Sequence, residues 1–267
     1  MWSERDGSPW AEGPWSGQRA ASGSGSILPS GGTEPEYYEA VERASPAARL
    51  ALVISRSGGD RGAGDHAVDS LLETARIDYL EDAARRLARI GVDSVMWACT
   101  SGSFVIGLER ARDQAAAIAR AANVPASSTS LAFADALRRL GLSRVAVVSP
   151  YPRDATELFL EFVRRCSVEV VGTRRLENPS GWDSAEYDQR RLAEICKATD
   201  TPASQALVVP DTALPTLDIL PELEESLSKP VLTANQVTLW QAFRLAGAPP
   251  PPTLGCLSRL ELARANT

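Results

Sequence analysis

Short runs of aliphatic residues alternate with amphipathic stretches along the chain from Ser26 onward. Uninterrupted Val, Ile and Leu runs are typical of strands buried on both faces of a parallel sheet, whereas apolar residues at helical spacing indicate helices. The alternation therefore predicts βα units, an α/β fold. The predicted strands are Ile27–Leu28, Leu50–Ser55, Ser94–Ala98, Arg144–Ser149, Val168–Val171, Ala206–Val209 and Val231–Thr233.

The helical pattern is clearest in three segments between these strands, Ile77–Gly91, Ser130–Gly141 and Val237–Gly247. Each segment ends in glycine, the residue that most readily terminates a helix. Ser130 is the predicted N-cap of the second segment. The prolines from Pro249 to Pro252 then stop the last helix.

The chain repeats one plan. The segment Ile27–Val41 resembles Val147–Val163, and each half has a later strand that ends in small polar residues, in VMWACTSGSF and LVVPDTALPTLD. Open α/β sheets bind ligands at the carboxyl ends of their strands. We therefore predict two pseudo-symmetric Rossmann-like lobes, each a parallel sheet flanked by helices, that face each other and place Cys99 and Asp211 across one cleft.

The predicted organisation has three parts. Residues 1–26 are rich in Gly, Ser, Pro and Trp and have no period that could bury a face, so they are predicted to form a disordered leader. The first lobe is predicted to comprise residues 27–140 together with 234–267, and the second lobe residues 141–233.

Composition narrows the function classes. A net charge of −6, with arginines that alternate with acids, argues against nucleic-acid binding. No run approaches the roughly 20 apolar residues of a membrane span, and the leader lacks the apolar core of a signal peptide. Only four cysteines, without CxxC spacing, favour a reducing compartment. A soluble cytoplasmic protein is expected, with a homo-oligomer left open.

Cys99 is the strongest candidate for chemistry. It follows a predicted buried strand, and a helical pattern begins around Phe104. The positive end of a helix lowers the pKa of a nearby thiol, and the hydroxyls of Thr100 and Ser101 can bind a carboxylate. The alternative is that Cys99 is a small buried core residue.

Other strand ends carry further candidates. Asp211 is a candidate general acid or base, with a helix N-cap as the alternative. Tyr151 is a candidate donor to a substrate carboxylate, with a place in the cleft wall as the alternative. The turn that contains Ser30, Gly31 and Gly32 would let backbone amides approach a small anion.

The remaining histidine and cysteines are assigned no catalytic role. His66, the only histidine, lies in a glycine-rich segment and is predicted to be exposed, with a role in a lid over the cleft as the alternative. Cys166, Cys196 and Cys256 are predicted to be structural.

Three segments carry a resemblance to a known group of proteins: WACTSGSF (97–104), VSPY (148–151) and TLDILPELEESLSKPVLTANQVTLWQAFRLAG (216–247). Together they resemble the aspartate/glutamate racemase superfamily, near the maleate cis-trans isomerases, the arylmalonate decarboxylases and ectoine-utilisation relatives. The resemblance covers about residues 27–260. It implies paired α/β lobes, a small carboxylate substrate, no metal and no organic cofactor.

The resemblance also implies roles for individual residues. Cys99 matches the cysteine of the first lobe in the isomerases and racemases, whereas Asp211 stands where those enzymes have a second cysteine. The decarboxylases have one cysteine, on the second lobe, so this chain is reversed. Gly32 replaces an asparagine of many maleate isomerases. Residues that match substrate-contacting positions are Thr100, Ser101, Tyr151 and Thr212.

Three functions remain open from the sequence. The first is a cofactor-independent, maleate isomerase-like isomerase or racemase of a small carboxylic or dicarboxylic acid, with Cys99 and Asp211 as its catalytic residues. The second is decarboxylation of a substituted malonate, with Cys99 as the proton donor. The third is non-catalytic binding of a small acid.

Overall fold

The computed structural model describes residues 23–30, 34–43, 49–56 and 65–265. Within these ranges the strands form two separate sheets of four parallel strands each. The strands are β1 (Gly23–Leu28), β2 (Arg49–Ile54), β3 (Ser94–Trp97), β4 (Ala126–Ser128), β5 (Arg144–Ser149), β6 (Glu169–Arg175), β7 (Ala206–Val209) and β8 (Val231–Thr233).

Helices follow most of the strands and cover the sheets. The helices of the first half are α1 (Glu34–Glu42), α2 (Val68–Thr74), α3 (Ile77–Ile90), α4 (Ser101–Phe104), α5 (Leu108–Ala122) and α6 (Thr129–Arg139). Those that follow are α7 (Arg153–Arg165), α8 (Gly181–Ala185), α9 (Gln189–Thr199), α10 (Leu220–Leu227), α11 (Ala234–Leu245) and α12 (Gly255–Ala265). No helix among the described residues is long and apolar enough to cross a membrane.

The two sheets have the same strand order. The first sheet runs β2-β1-β3-β4 and the second β6-β5-β7-β8, so each strand of the first sheet has a counterpart in the second. Strands β3 and β7 are equivalent, and both are fully buried. This arrangement confirms the predicted fold class of two pseudo-symmetric α/β lobes.

The predicted strands need three corrections. The strand predicted as Val168–Val171 is β6 and spans Glu169–Arg175. β1 begins at Gly23, so residues 23–26, which were assigned to a disordered leader, belong to the sheet; residues 1–22 lie outside the described residues. Strand β4, Ala-Ser-Ser, was not predicted at all. These last two segments consist largely of small residues, so they lack the aliphatic run that predicts a strand. Small side chains let a helix pack close to the sheet: a Cβ on Gly25 would lie 2.9 Å from Leu87 Cδ1.

Two helix predictions also need correction. Ser128, not Ser130, caps α6, and its hydroxyl accepts a hydrogen bond from the Leu131 N–H. The Ser130 hydroxyl instead donates to the Thr100 carbonyl (2.8 Å). At the other end of the chain, the prolines do stop a helix, but α12 follows them.

Helix α11 packs against the first sheet although it follows the last strand of the second. Its contacts include β1, β3 and β4. At its start the Thr233 N–H donates to Gln236 Oε1 (3.0 Å), and the hydroxyl of Ser94 on β3 donates to the Ala242 carbonyl (2.9 Å). The predicted lobe limits themselves, 27–140 with 234–267 and 141–233, stay predictions.

Glu36 on α1 forms hydrogen bonds that link the first half of the chain to the second. Its Oε1 accepts hydrogen bonds from the backbone N–H groups of Thr216 (2.6 Å) and Leu217 (2.5 Å), and its Oε2 accepts from the Asn235 amide. Burial raises the pKa of Glu36 to about 7, although these three donors oppose the shift. The folded protein therefore holds a proton on Glu36 over a pH range in which the unfolded chain does not.

We predict that Glu36 makes stability fall as the pH rises from about 4.5 towards 7. In this window the folded state binds more protons than the unfolded state, so the free energy of unfolding decreases by up to about 3 kcal/mol. Glu36→Gln is expected to flatten the slope, measured by urea unfolding at a series of pH values. Glu39→Gln, on the exposed face of the same helix, is the control. An unchanged slope in Glu36→Gln would contradict the assignment.

Candidate functional site

Cys99 lies where the chain leaves β3 and turns into the single turn of helix α4. Its side chain is 3% exposed. The Gly102 N–H donates to Cys99 Sγ (3.4 Å), and Ser101 Oγ lies 3.7 Å from the same sulfur. The turn requires glycine, because a Cβ on Gly102 would lie 2.4 Å from the Trp97 ring. Trp97 and Gly102 thus fix the position of the thiol.

The environment of Cys99 favours the neutral thiol. Burial raises its pKa to about 11; the Gly102 N–H and Ser101 lower it, while Asp211 and Asp65 raise it further. The predicted lowering of the pKa by a helix N-terminus is therefore wrong. Helix α4 spans only four residues, and its start at Ser101 adds too little to offset the loss of hydration.

Asp211 and Thr212 occupy the equivalent turn after β7. Asp211 has φ 89°, a left-handed conformation that is strained for a non-glycine residue. Its N–H donates to Thr100 Oγ1 (3.2 Å), and Thr212 Oγ1 donates to the Ala98 carbonyl (3.1 Å). The strand-end turns of the two halves are therefore in direct contact.

The Asp211 carboxylate is buried with one oxygen left unbonded. Oδ1 accepts from the Ala213 N–H (3.0 Å), whereas Oδ2 has no hydrogen-bond partner among the described residues. His66 Nε2 lies 3.7 Å from Oδ2, within ion-pair distance but too far for a hydrogen bond. Burial raises the pKa of Asp211, and His66, the nearby Ser184 hydroxyl and the Ala213 N–H oppose this shift.

His66 is buried, which makes the prediction of an exposed histidine wrong. It is 4% exposed and lies between the two halves. Its ring Nδ1 is 3.0 Å from the Asn178 carbonyl oxygen, and the backbone N–H of His66 donates to the Pro179 carbonyl (3.2 Å). Next to it, the Gly181 N–H donates to Asp65 Oδ1 (2.8 Å). These bonds hold a segment of the first half against a segment of the second.

Tyr151, in the turn after β5, is fully buried beside His66. The two rings meet edge to face with centroids 4.9 Å apart. The Tyr151 hydroxyl has no hydrogen-bond partner among the described residues. Burial raises its pKa well above the ordinary value, so it is a neutral donor. Tyr151 Oη and Asp211 Oδ2 are thus two buried polar atoms without partners beside His66, and a ligand can supply the missing partners.

One small cavity of about 40 Å³ brings the candidate residues together. It is lined from both halves by Pro29, Ser30, Asp65, His66, Leu71, Thr74, Cys99, Ser101, Gly181, Asp211, Thr212 and Ala213. Thr100 and Tyr151 lie in the layer next to this lining. Gly31 and Gly32, predicted to contact substrate, lie outside the described residues.

The sequence analysis missed His66 and Asp65 as parts of this site. Both follow a glycine-rich stretch with no periodic pattern, and their positions depend on contacts with residues 178–181, more than 100 positions away along the chain. The one signal was that the chain contains a single histidine. Among the described residues, no group of three or more His, Cys, Asp or Glu side chains could hold a metal ion.

Comparison with known proteins places the chain in a family. The sequence model of arylmalonate decarboxylase matches residues 64–256. The chain is 33% identical over 175 residues to an arylmalonate decarboxylase from Bordetella bronchiseptica, which covers 65% of this chain and 73% of that protein. It is 28% identical over 121 residues to a maleate isomerase from Geobacillus stearothermophilus, which covers 45% of this chain and 48% of that protein.

The fold comparison agrees. A cysteine-to-alanine variant of the maleate isomerase Iso from Pseudomonas putida S16, solved with maleate, superposes with a TM-score of 0.80 at 25% identity, over 89% of this chain and 97% of that chain. Fold and site together define an α/β enzyme with a cysteine in the cleft between two pseudo-symmetric lobes. The chain belongs to the arylmalonate decarboxylase family, which confirms the resemblance and, at family level, the isomerase or decarboxylase prediction.

We predict that Cys99 stays a neutral thiol until well above neutral pH. The rate of its alkylation by iodoacetamide, followed by mass spectrometry of the Cys99 peptide, is expected to rise tenfold per pH unit beyond pH 9 in the folded protein. In urea the same rate should level off near the ordinary thiol pKa of about 8.5. A plateau at or below that value in the folded protein would contradict the assignment.

Proposed function

We propose that the chain is an isomerase or racemase of a small carboxylic or dicarboxylic acid, in which Cys99 transfers a proton at the carbon next to a carboxylate. The observation that carries the proposal is that Cys99 and Asp211, from equivalent turns of opposite halves, line one buried cavity. Inversion at a carbon requires proton-transferring groups on two sides of the substrate. The cleft offers a thiol on one side and a carboxylate on the other.

The protonation state of Cys99 favours proton transfer over attack on carbon. A thiol whose pKa is raised to about 11 is overwhelmingly protonated near neutral pH, so it is a proton donor rather than a preformed nucleophile. In the proposed step, the opposing group removes the proton from the α-carbon and the electron pair of the C–H bond moves into the carboxylate as an enediolate. Cys99 then donates its proton to the other face, which leaves a thiolate.

Neutral donors would hold the substrate carboxylate. The described lining includes the acids Asp65 and Asp211 but no Lys or Arg, so binding would depend on hydrogen bonds. The Tyr151 hydroxyl and the hydroxyl of Ser101 are the proposed donors, whereas the Thr212 hydroxyl already donates to the Ala98 carbonyl. Each such donor that faces a developing negative charge is worth about 10²–10³ in rate.

The cavity in this structure is smaller than a substrate requires. Small-molecule pockets usually measure about 300–1,000 Å³, far more than the 40 Å³ present. Substrate binding would therefore require the cavity to widen, which the contacts of Asp65 and His66 with residues 178–181 oppose.

Decarboxylation of a substituted malonate is the second candidate. The observation that favours it is the identity with the Bordetella bronchiseptica arylmalonate decarboxylase, which is higher than with the maleate isomerase. In that reaction the bond between the α-carbon and one carboxylate breaks, CO₂ leaves, and the neutral Cys99 thiol protonates the enediolate. Only one proton donor is then required.

We predict that Cys99→Ala abolishes racemisation and CO₂ release while the fold persists. The assay incubates the separate enantiomers of 2-phenylpropanoate and 2-methylsuccinate, and separately phenylmalonate, in D₂O. Exchange and racemisation at the α-carbon indicate the first function, and CO₂ release indicates the second. The variant is expected to lose at least about 10²–10⁴ in rate, the usual worth of a general acid.

Cys166→Ala is the matched control, because Cys166 lies at the end of α7 and not in the cavity lining. It is expected to retain full activity. Full activity in Cys99→Ala would overturn both enzymatic mechanisms. Binding of these acids without any turnover in the unmodified protein would instead favour the third function, a small-acid binding protein. The cytoplasmic location and the absence of nucleic-acid partners stay predictions, and the oligomeric state stays open.

A further inference from the structure

The second side of the cleft holds a histidine as well as an aspartate. His66 lines the same cavity as Cys99, and within the described lining the other titratable groups are Asp65 and Asp211. Of these, Asp65 is engaged by the Gly181 N–H (2.8 Å). His66 Nε2 and Asp211 Oδ2 face each other at 3.7 Å, and Oδ2 has no hydrogen-bond partner among the described residues.

The hydrogen bond at the other ring nitrogen determines where the His66 protons lie. Nδ1 is 3.0 Å from the Asn178 carbonyl oxygen, and a carbonyl oxygen can only accept. Nδ1 must therefore carry a proton. In a neutral imidazole Nε2 is then an unprotonated base that points at Asp211 and the cavity.

We propose that His66 is the second proton-transferring residue of the site, opposite Cys99, and that Asp211 acts through it as a positioning and charge-balancing partner. This inference rests on the proposed function. A lone pair on Nε2 directed at a carboxylate is unfavourable, and a proton on either Nε2 or Oδ2 removes this repulsion. The pair therefore exchanges one proton with a substrate, while the other proton stays on Nδ1, hydrogen-bonded to the Asn178 carbonyl oxygen.

The number of protons on the enzyme and the substrate balances over one turnover. When the pair lacks the shared proton, Nε2 takes the α-proton of the substrate and the C–H electrons form the enediolate. Cys99 gives its thiol proton to the opposite face, and the α-carbon is inverted. The enzyme is left with a thiolate and a protonated pair, and the reverse reaction or exchange with water restores the first form. Asp211 faces Nε2, Tyr151 packs its ring against the imidazole, and the other titratable groups of the described lining are Asp65 and the Cys99 thiol.

His66→Asn separates the catalytic role from the structural one. An asparagine amide can replace Nδ1–H as donor to the Asn178 carbonyl, which keeps the two halves together, but it supplies no base at the position of Nε2. The variant is expected to lose at least about 100-fold in α-deuterium exchange for one enantiomer and little for the other. Cys99→Ala should show the opposite enantiomer preference. The probes are the separate enantiomers of 2-phenylpropanoate and 2-methylsuccinate in D₂O.

A second measurement does not depend on activity. Because the chain has one histidine, untagged protein labelled with ¹⁵N-histidine gives a single imidazole spin system in NMR. We expect a protonated Nδ1 at every pH at which the protein is folded, and an Nε2 signal that changes on Asp211→Asn. A neutral ring protonated on Nε2 and bare on Nδ1 would overturn the inference, even if His66→Asn does not fold.

The outcomes separate this inference from the proposed function. Exchange of neither enantiomer by the unmodified protein would reject the racemase function. A different outcome is that the unmodified protein exchanges both enantiomers and His66→Asn retains or loses the two exchange rates equally. This outcome would reject the role of His66 but would not affect the function proposed for Cys99. Selective loss of one enantiomer, with the predicted Nδ1 protonation, supports both.

Discussion

Two hydrogen bonds between the strand-end turns of the two halves position everything else in the site. The Asp211 N–H donates to Thr100 Oγ1, and Thr212 Oγ1 donates to the Ala98 carbonyl. Each bond joins a residue just after β7 to a residue just after β3. β3 and β7 occupy equivalent places in two sheets of the same strand order. The contact between their strand-end turns therefore places equivalent residues of the two halves on opposite sides of one cleft. Without it, Cys99 and Asp211 would end on separate surfaces.

The buried charge in this cleft is the main energetic cost of the arrangement. Asp211 is buried with one oxygen unpaired, in a strained left-handed conformation, next to a thiol that burial and, to a lesser extent, the Asp211 charge keep protonated. Unpaired buried carboxylates and strained backbone each cost of the order of kilocalories per mole and cluster at functional sites. The packing of the two sheets and the hydrogen bonds of Glu36 on α1 stabilise the fold and offset this cost.

Much of the fold could be predicted because the strands that form the sheet cores are long aliphatic runs. β5 and β7 were located within a residue, and the helix from Ile77 ends at Gly91, which has φ 80°. The strands that were missed or shortened, β1 and β4, contain Gly, Ala and Ser. Their small side chains serve close helix packing, which no periodicity along the sequence records.

The site was predictable only where the chain repeat pointed to it. Cys99 and Asp211 follow strands, so their meeting at sheet edges could be inferred. His66 could not, because its burial depends on bonds to Asn178 and Pro179 that form only when the halves close. The pKa of Cys99 was predicted with the wrong sign, since a helix N-terminus was inferred from the sequence whereas the extent of burial depends on the tertiary packing.

The most direct test of the shared cleft is a crystal structure of the unmodified protein with malonate, a small dicarboxylate with a central carbon. The account predicts malonate between the two halves, with one carboxylate bonded to the Tyr151 hydroxyl and the central carbon between Cys99 Sγ on one side and His66 and Asp211 on the other. Malonate bound elsewhere, with the Cys99 sulfur packed away from any cavity, would contradict it. A structure in which the two strand-end turns lie apart from each other would also contradict it.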